Sequence, residues 1–275
     1  MKTKLFILSL FLFLLTVSTS ASVKLSKDAT ISILTCSPGN ELYSLFGHTG
    51  IRVVDKANNM DIVFNYGTFD FDTQGFYFKF ARGLLPYQLS CSEFRRFLSS
   101  YIYDKRSVYS QTLNLDSIQK QYLMDLLIEN YQPANREYLY NFLYDNCSTR
   151  VRDIIEKSTG NQITWIAQPS TKSFWNLLDE YLGRSPWIQW GIHTILGSPA
   201  TSTATLREQM FLPDYLMYHL DSAAYNGTPL VQPIETVYEA PEQDLSTPWY
   251  FSPFFVFAIC TLALVSLLQK IKSRR

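Results

Sequence analysis

The sequence predicts an α+β fold, an antiparallel sheet with packed helices, followed by a C-terminal transmembrane helix. Three observations point to it. The segments Thr30 to Thr35, Ile51 to Val54 and Asp61 to Tyr66 are rich in β-branched residues and partly alternate apolar with polar, the period of a half-buried strand. Around Phe94 to Ile102, Ile118 to Leu127 and Val151 to Ile155, apolar residues instead recur every three or four positions, the period of a helix with one buried face. Finally, Trp249 to Leu268 is almost wholly apolar and long enough to cross a bilayer.

Taken in chain order, Lys2 and Lys4 precede the apolar run Leu5 to Leu15 and the small residues Thr19, Ser20 and Ala21, the layout of a secretory signal peptide over residues 1–21. An uncleaved N-terminal anchor is the alternative, although the apolar run is short for a span. A domain over 22–220 follows. Its second and third strands are expected to form a hairpin through Asn58-Asn59. Ser90 and Glu93 have the spacing of a capping box for a helix carrying Phe94, Phe97, Leu98, Tyr101 and Ile102. Ser107 to Leu113 returns to a strand pattern. Asp116 then opens a second helix, with Ile118, Tyr122, Leu123, Leu126 and Leu127 on one face and a stop near Pro133. For the third helix, Asp145 or Asn146 supplies the N-cap, Val151, Ile154 and Ile155 the buried stripe, and Gly160 the stop. Trp165, Trp175, Trp187 and Trp190 crowd the next stretch, either as core or as groups that favour a bilayer surface.

Residues 221–248 contain Gly227, Pro229, Pro233, Pro241 and Pro248 and read as a linker to the span at 249–269. The tail 270–275 carries Lys270, Lys272, Arg274 and Arg275, so it is expected on the cytoplasmic side of a bacterial inner membrane, with the domain outside in the periplasm. A buried core helix is the bland alternative for the span. The 275 residues balance 24 basic against 24 acidic side chains, which leaves no basic excess for binding nucleic acid. Of the four cysteines, Cys260 lies mid-span, and Cys36 and Cys91 are expected to pair in an oxidising compartment, leaving Cys147 free.

Cys147 stands in the first turn of the third helix, where free N–H groups and the helix dipole favour a thiolate. Four residues before Val151, it shares the apolar face and points toward the sheet. His48, between Gly47 and Gly50 at the mouth of a strand, is the candidate base, and Asn65 on the partner strand is the candidate to orient its ring. The Cys147 backbone N–H is a candidate oxyanion donor. Taken singly, Cys147 could be an inert buried thiol and His48 a structural histidine; the pair together favours chemistry. His193 and His219 lack such a context, and with neither HExxH nor CxxC present, no metal or cofactor is expected.

The runs Glu41 to His48, Phe64 to Phe71, Tyr144 to Arg150 and Met210 to Leu216 resemble the Lnb-like periplasmic domain family, over roughly Thr30 to His219. That family looks like a circularly permuted relative of the NlpC/P60 and lecithin retinol acyltransferase folds, papain-like domains in which His precedes a Cys that opens a helix. The resemblance implies lipoprotein N-acylation. A phospholipid would donate a fatty acyl chain to the thiol, and the acceptor would be the α-amine of a lipoprotein's lipidated N-terminal cysteine. Asn65 stands where the lecithin retinol acyltransferase pattern has a second His. Two other classes remain open at this point: a cell-wall cysteine amidase or peptidase of NlpC/P60 type, and a non-catalytic lipoprotein-binding module.

Overall fold

A computed structural model describes residues 23–69, 72–75, 79, 85–166, 171–183, 185–241 and 248–273. The expected signal peptide lies outside them, as do Arg274 and Arg275. The fold is α+β. Seven antiparallel strands form one sheet in the order β10-β5-β1-β2-β3-β4-β6, made of β1 (Thr30–Cys36), β2 (His48–Asp55), β3 (Met60–Thr68), β4 (Pro86–Glu93), β5 (Val108–Thr112), β6 (Glu137–Leu139) and β10 (Glu235–Tyr238). The expected β2–β3 hairpin is present, and Asn59 closes its turn in the left-handed region at φ 49°.

Alternation along the strands gives the sheet two buried faces. Ile31, Ile33, Ile51, Val53, Phe64 and Tyr66 pack against α2 (Ser117–Tyr131) and α3 (Cys147–Ser158), while Leu34, Cys36 and Val63 pack against Phe97 and Tyr101 of α1 (Phe94–Tyr103). A third cluster joins Leu45 to α4 (Phe174–Leu182) and to Phe211 and Leu212. Beyond α4 come α5 (Pro186–Leu196), α6 (Leu206–Gln209), α7 (Pro213–Ser222) and α8 (Pro253–Ser273). A small separate sheet is made of β7 (Ile163–Thr164), β8 (Ala224–Tyr225) and β9 (Thr228–Pro229). Helix α8 is the one helix among the described residues long and apolar enough to cross a membrane.

Several expectations change. Ser90 caps no helix: it lies within β4, its hydroxyl 2.6 Å from that of Thr68, and α1 starts after Glu93 without a side-chain cap. Capping boxes open other helices instead: α2, where Asp116 and Gln119 bond each other's backbones, and likewise α3 (Asn146 with Thr149), α4 (Ser173 with Asn176) and α6 (Thr205 with Glu208). The buried face of α2 is Leu123, Met124, Leu126 and Leu127, whereas Ile118 is 80% exposed and Tyr122 is also exposed. Cys36 and Cys91 are not paired. They sit on β1 and β4, three strand spacings or about 14 Å apart across the sheet, and offset along it because Cys91 lines up with Ile33, whereas a disulfide needs Cα atoms within about 7 Å. The stretch 221–248 is also more than a linker. It contributes β8, β9 and β10, and β10 pairs with β5 at the edge of the main sheet because Glu235 to Tyr238 has a strand's β-branched pattern between its prolines. The span begins later than Trp249, which lies in a 3-10 turn ending at Phe251; Pro253 occupies the first helical turn, where its missing N–H costs nothing.

Candidate active site

The site forms where β2 begins, β3 ends and α3 starts. Asn146 makes the helix start rigid. Its side-chain oxygen accepts from the backbone N–H of Ser148 and Thr149 at 2.9 and 3.0 Å, and its amide donates to the carbonyls of Phe142 and Phe211, each at 2.8 Å. Of the two candidate caps, Asn146 is therefore the one used; Asp145 instead takes both oxygens to Arg150. With the helix start fixed, Cys147 is the first helical residue, buried at the end of the sheet.

The structure brings the three sequence-predicted residues together. His48 Nε2 lies 2.8 Å from Asn65 Oδ1, and the ring is close enough to the Cys147 thiol for charge and hydrogen bonding to couple the two. The Asn65 carbonyl can only accept, so it holds a proton on Nε2 and leaves Nδ1 as the ring nitrogen available to exchange a proton. Burial works against charge on both partners, but it is outweighed. The His48 charge and hydrogen bond, the Thr49 N–H and the Ser148 hydroxyl together lower the Cys147 pKa. The Cys147 charge and the bonds to Cys147 and Asn65 likewise raise that of His48. Each shift favours a thiolate facing an imidazolium.

Three glycines make the close approach possible. Gly47 has φ +81°, and a Cβ there would come within 2.7 Å of the Cys36 carbonyl, so the chain can turn into His48 only without a side chain. Gly67 has φ +87° and lies where a Cβ would meet Cys147 Cβ at 3.6 Å; the β3–β4 register slips just here, between Asn65 and Thr68, a bulge that bends β3 around the thiol. Gly50 leaves the room that Asn65 occupies, since an added Cβ would lie 3.3 Å from Asn65 Oδ1 and 3.1 Å from Val63 Cγ1.

Cys147 and His48 open into a cavity of about 490 Å³ with predominantly apolar walls, among them Phe46, Phe69, Tyr87, Phe142, Ile188 and Ile192. Neither the cavity nor the parts played by Thr49, Ser148 and Gly67 were deduced from sequence. Adjacency was the available signal: Thr49 and Ser148 directly follow His48 and Cys147, and Gly67 closes Asn65-Tyr66-Gly67. The other two histidines lie elsewhere. His193 stacks on Trp175 with ring centroids 4.5 Å apart, and His219 is held below its ordinary pKa by burial.

The profile described as Lnb N-terminal periplasmic domain matches residues 19–179, more than half of the chain. The chain belongs to this family. The match includes His48, Asn65 and Cys147 and ends within α4, so α5 and α7 lie beyond it. No curated protein and no solved structure matches the chain. A Lnb-family periplasmic domain followed by the apolar helix α8 fits a membrane-anchored protein whose folded part lies in the periplasm.

Proposed function

We propose that this Lnb-family protein is a cysteine-dependent lipoprotein N-acyltransferase of the bacterial inner membrane. One observation carries the reading: the Cys147–His48 pair lines a largely apolar cavity, suited to a fatty acyl chain rather than to the polar peptides of the cell wall. The Cys147 thiolate attacks the ester carbonyl of a phospholipid, and the carbonyl oxygen takes up the negative charge. When the intermediate collapses, the C–O bond breaks and the departing alkoxide takes the His48 proton, leaving a lysophospholipid and an acyl thioester. Neutral His48 then takes a proton from the incoming α-amine of a lipoprotein's N-terminal cysteine. The amine attacks, the C–S bond breaks, and an amide is formed as the thiolate and imidazolium are restored. Asn65 acts by keeping the ring oriented through both half-reactions.

The test is the intermediate. Purified protein incubated with phospholipid is expected to carry a hydroxylamine-labile acyl group on Cys147, absent from Cys147→Ala. His48→Ala should nearly abolish it, and Asn65→Ala should slow its formation roughly ten- to a hundredfold, the range for an acid–base function that is impaired but not removed. An acyl group on another residue would reject the assignment, and cleavage of muropeptides without acylation would favour the amidase.

A further inference from the structure

Helix α5 has no buried residue although its sequence is apolar nearly all round, Pro-Trp-Ile-Gln-Trp-Gly-Ile-His-Thr-Ile-Leu. In water such a helix would be poorly covered. Its two sides face different things. Ile188, Ile192 and Ile195 line the Cys147 cavity, and Ile195, 79% exposed, stands at its lip. Trp187 and Trp190 turn the other way, onto the start of α8: the Trp187 indole N–H donates to the Phe251 carbonyl at 2.6 Å, and the Trp187 and Trp190 rings lie 5.7 and 5.5 Å from that of Phe257. Phe257 is about 6 Å down the axis from Pro253 at 1.5 Å per residue. A 21-residue helix has little length to spare over a hydrocarbon core of about 30 Å, so its first turn lies at the boundary of that core. Trp187 and Trp190 are thereby held at the depth that tryptophan prefers. Trp249, Tyr250, Phe251 and Phe254, all exposed, continue the same apolar surface.

We propose that α5 is an interfacial helix docked in the bilayer surface beside α8. It then forms a sill one helix thick, over whose Ile195 end a lipid acyl chain slides from the adjoining leaflet straight into the Cys147 cavity. The docking stands on the packing of α5 against α8, and the route for the chain rests on the acyltransferase reading above. The other two tryptophans of this stretch have local partners instead, Trp165 donating to Glu156 and Trp175 stacking on His193.

The full chain, reconstituted in vesicles of phosphatidylethanolamine and phosphatidylglycerol brominated high on the acyl chains, tests the docking by tryptophan fluorescence. Bromine should quench Trp187 and Trp190, and replacing both with Phe should lower the quenched signal by roughly two-thirds, leaving Trp249 as the remaining interfacial tryptophan. An unchanged quenched signal in that variant would overturn the docking. For the route, Thr194→Asp places a charge one turn beyond Trp190, at an exposed position that does not line the cavity. Acylation of Cys147 by vesicle phospholipid should fall about tenfold, because a carboxylate resists entry into the bilayer, while acylation by a water-soluble butyryl ester stays at the level of the unaltered protein. Equal loss with both donors, or no loss with either, would overturn the route. If neither donor ever acylates Cys147 yet the quenching appears, the acyltransferase reading fails and the docking stands.

Discussion

Burial alone would hold the Cys147 thiol protonated, so its reactivity depends on a few neighbours that outweigh desolvation, His48 first among them. The sign of that balance is measurable. Alkylation by iodoacetamide follows the thiolate, and its midpoint should lie below the ordinary thiol value of 9.0. In His48→Ala the two largest lowering causes vanish while burial persists, so the midpoint should move upward; an unmoved midpoint would separate the two residues. A second prediction concerns space. Gly50→Ala sets a methyl against Asn65 Oδ1 and Val63 Cγ1. It should slow acyl-enzyme formation on the order of tenfold, no more than Asn65→Ala, and the double variant should be little slower than Asn65→Ala alone because both act through one hydrogen bond. At this scale the sequence was informative for Cys147, His48 and Asn65, whose residue types advertise their chemistry. It was silent on Thr49, whose contribution is a backbone N–H that any residue could supply.

Among the elements, α3 decides whether the site exists, and Asn146 decides where α3 begins. Asn146→Ala removes two accepted and two donated hydrogen bonds from a buried position, leaving the Phe142 and Phe211 carbonyls without that partner. Cap loss and the unsatisfied groups together should cost about 2–4 kcal/mol, read as a lower denaturant midpoint in detergent; a shift of a few tenths would mean that the helix start is held by packing instead. The same element shows why sequence reading succeeds in one place and fails in another. Val151, Ile154 and Ile155 share a stripe dictated by period alone, and all three are buried. Ser90 and Glu93 have a capping box's spacing too, but β4 claims Ser90 because Thr68 offers its hydroxyl a cross-strand partner. Local spacing specifies a motif only where no neighbouring strand competes for the backbone. In α2 the apolar periodicity extended back to Ile118 and Tyr122, while the sheet beneath covers only the turns from Leu123 on.

At the scale of the whole molecule, the strands of the hairpin, the three principal helices and the apolar span were legible because each announces itself in a continuous stretch of chain. The cavity was not, since its walls come from the 42–47 loop, β4, α5 and the segment before α7, and no local pattern records which of these meet. The linker was misjudged for a related reason: its prolines and Gly227 mark turns, but β10 is recognisable as part of the sheet only once β5 is seen to offer it an edge. With β10 paired, the chain from the end of the domain to α8 is short. Residues 241–248 could span at most about 28 Å even if fully extended, and the Trp187 and Trp190 contacts to Phe257 bring the domain onto the head of the helix. Orientation in the membrane then follows from charge. Lys270 and Lys272 stand in the last turn of α8, and under the acyltransferase proposal the positive-inside rule predicts that end in the cytoplasm. The domain, at the other end, is then predicted to face the periplasm, in agreement with the family to which it belongs. Protease added to spheroplasts should therefore digest the domain while an epitope placed after Arg275 stays attached to a protected fragment of a few kilodaltons, about the size of α8 and its tail. Cleavage of the epitope from intact spheroplasts, or a domain that resists protease until the cells are lysed, would reverse the topology and remove Cys147 from the side of the membrane on which a periplasmic lipoprotein could reach it.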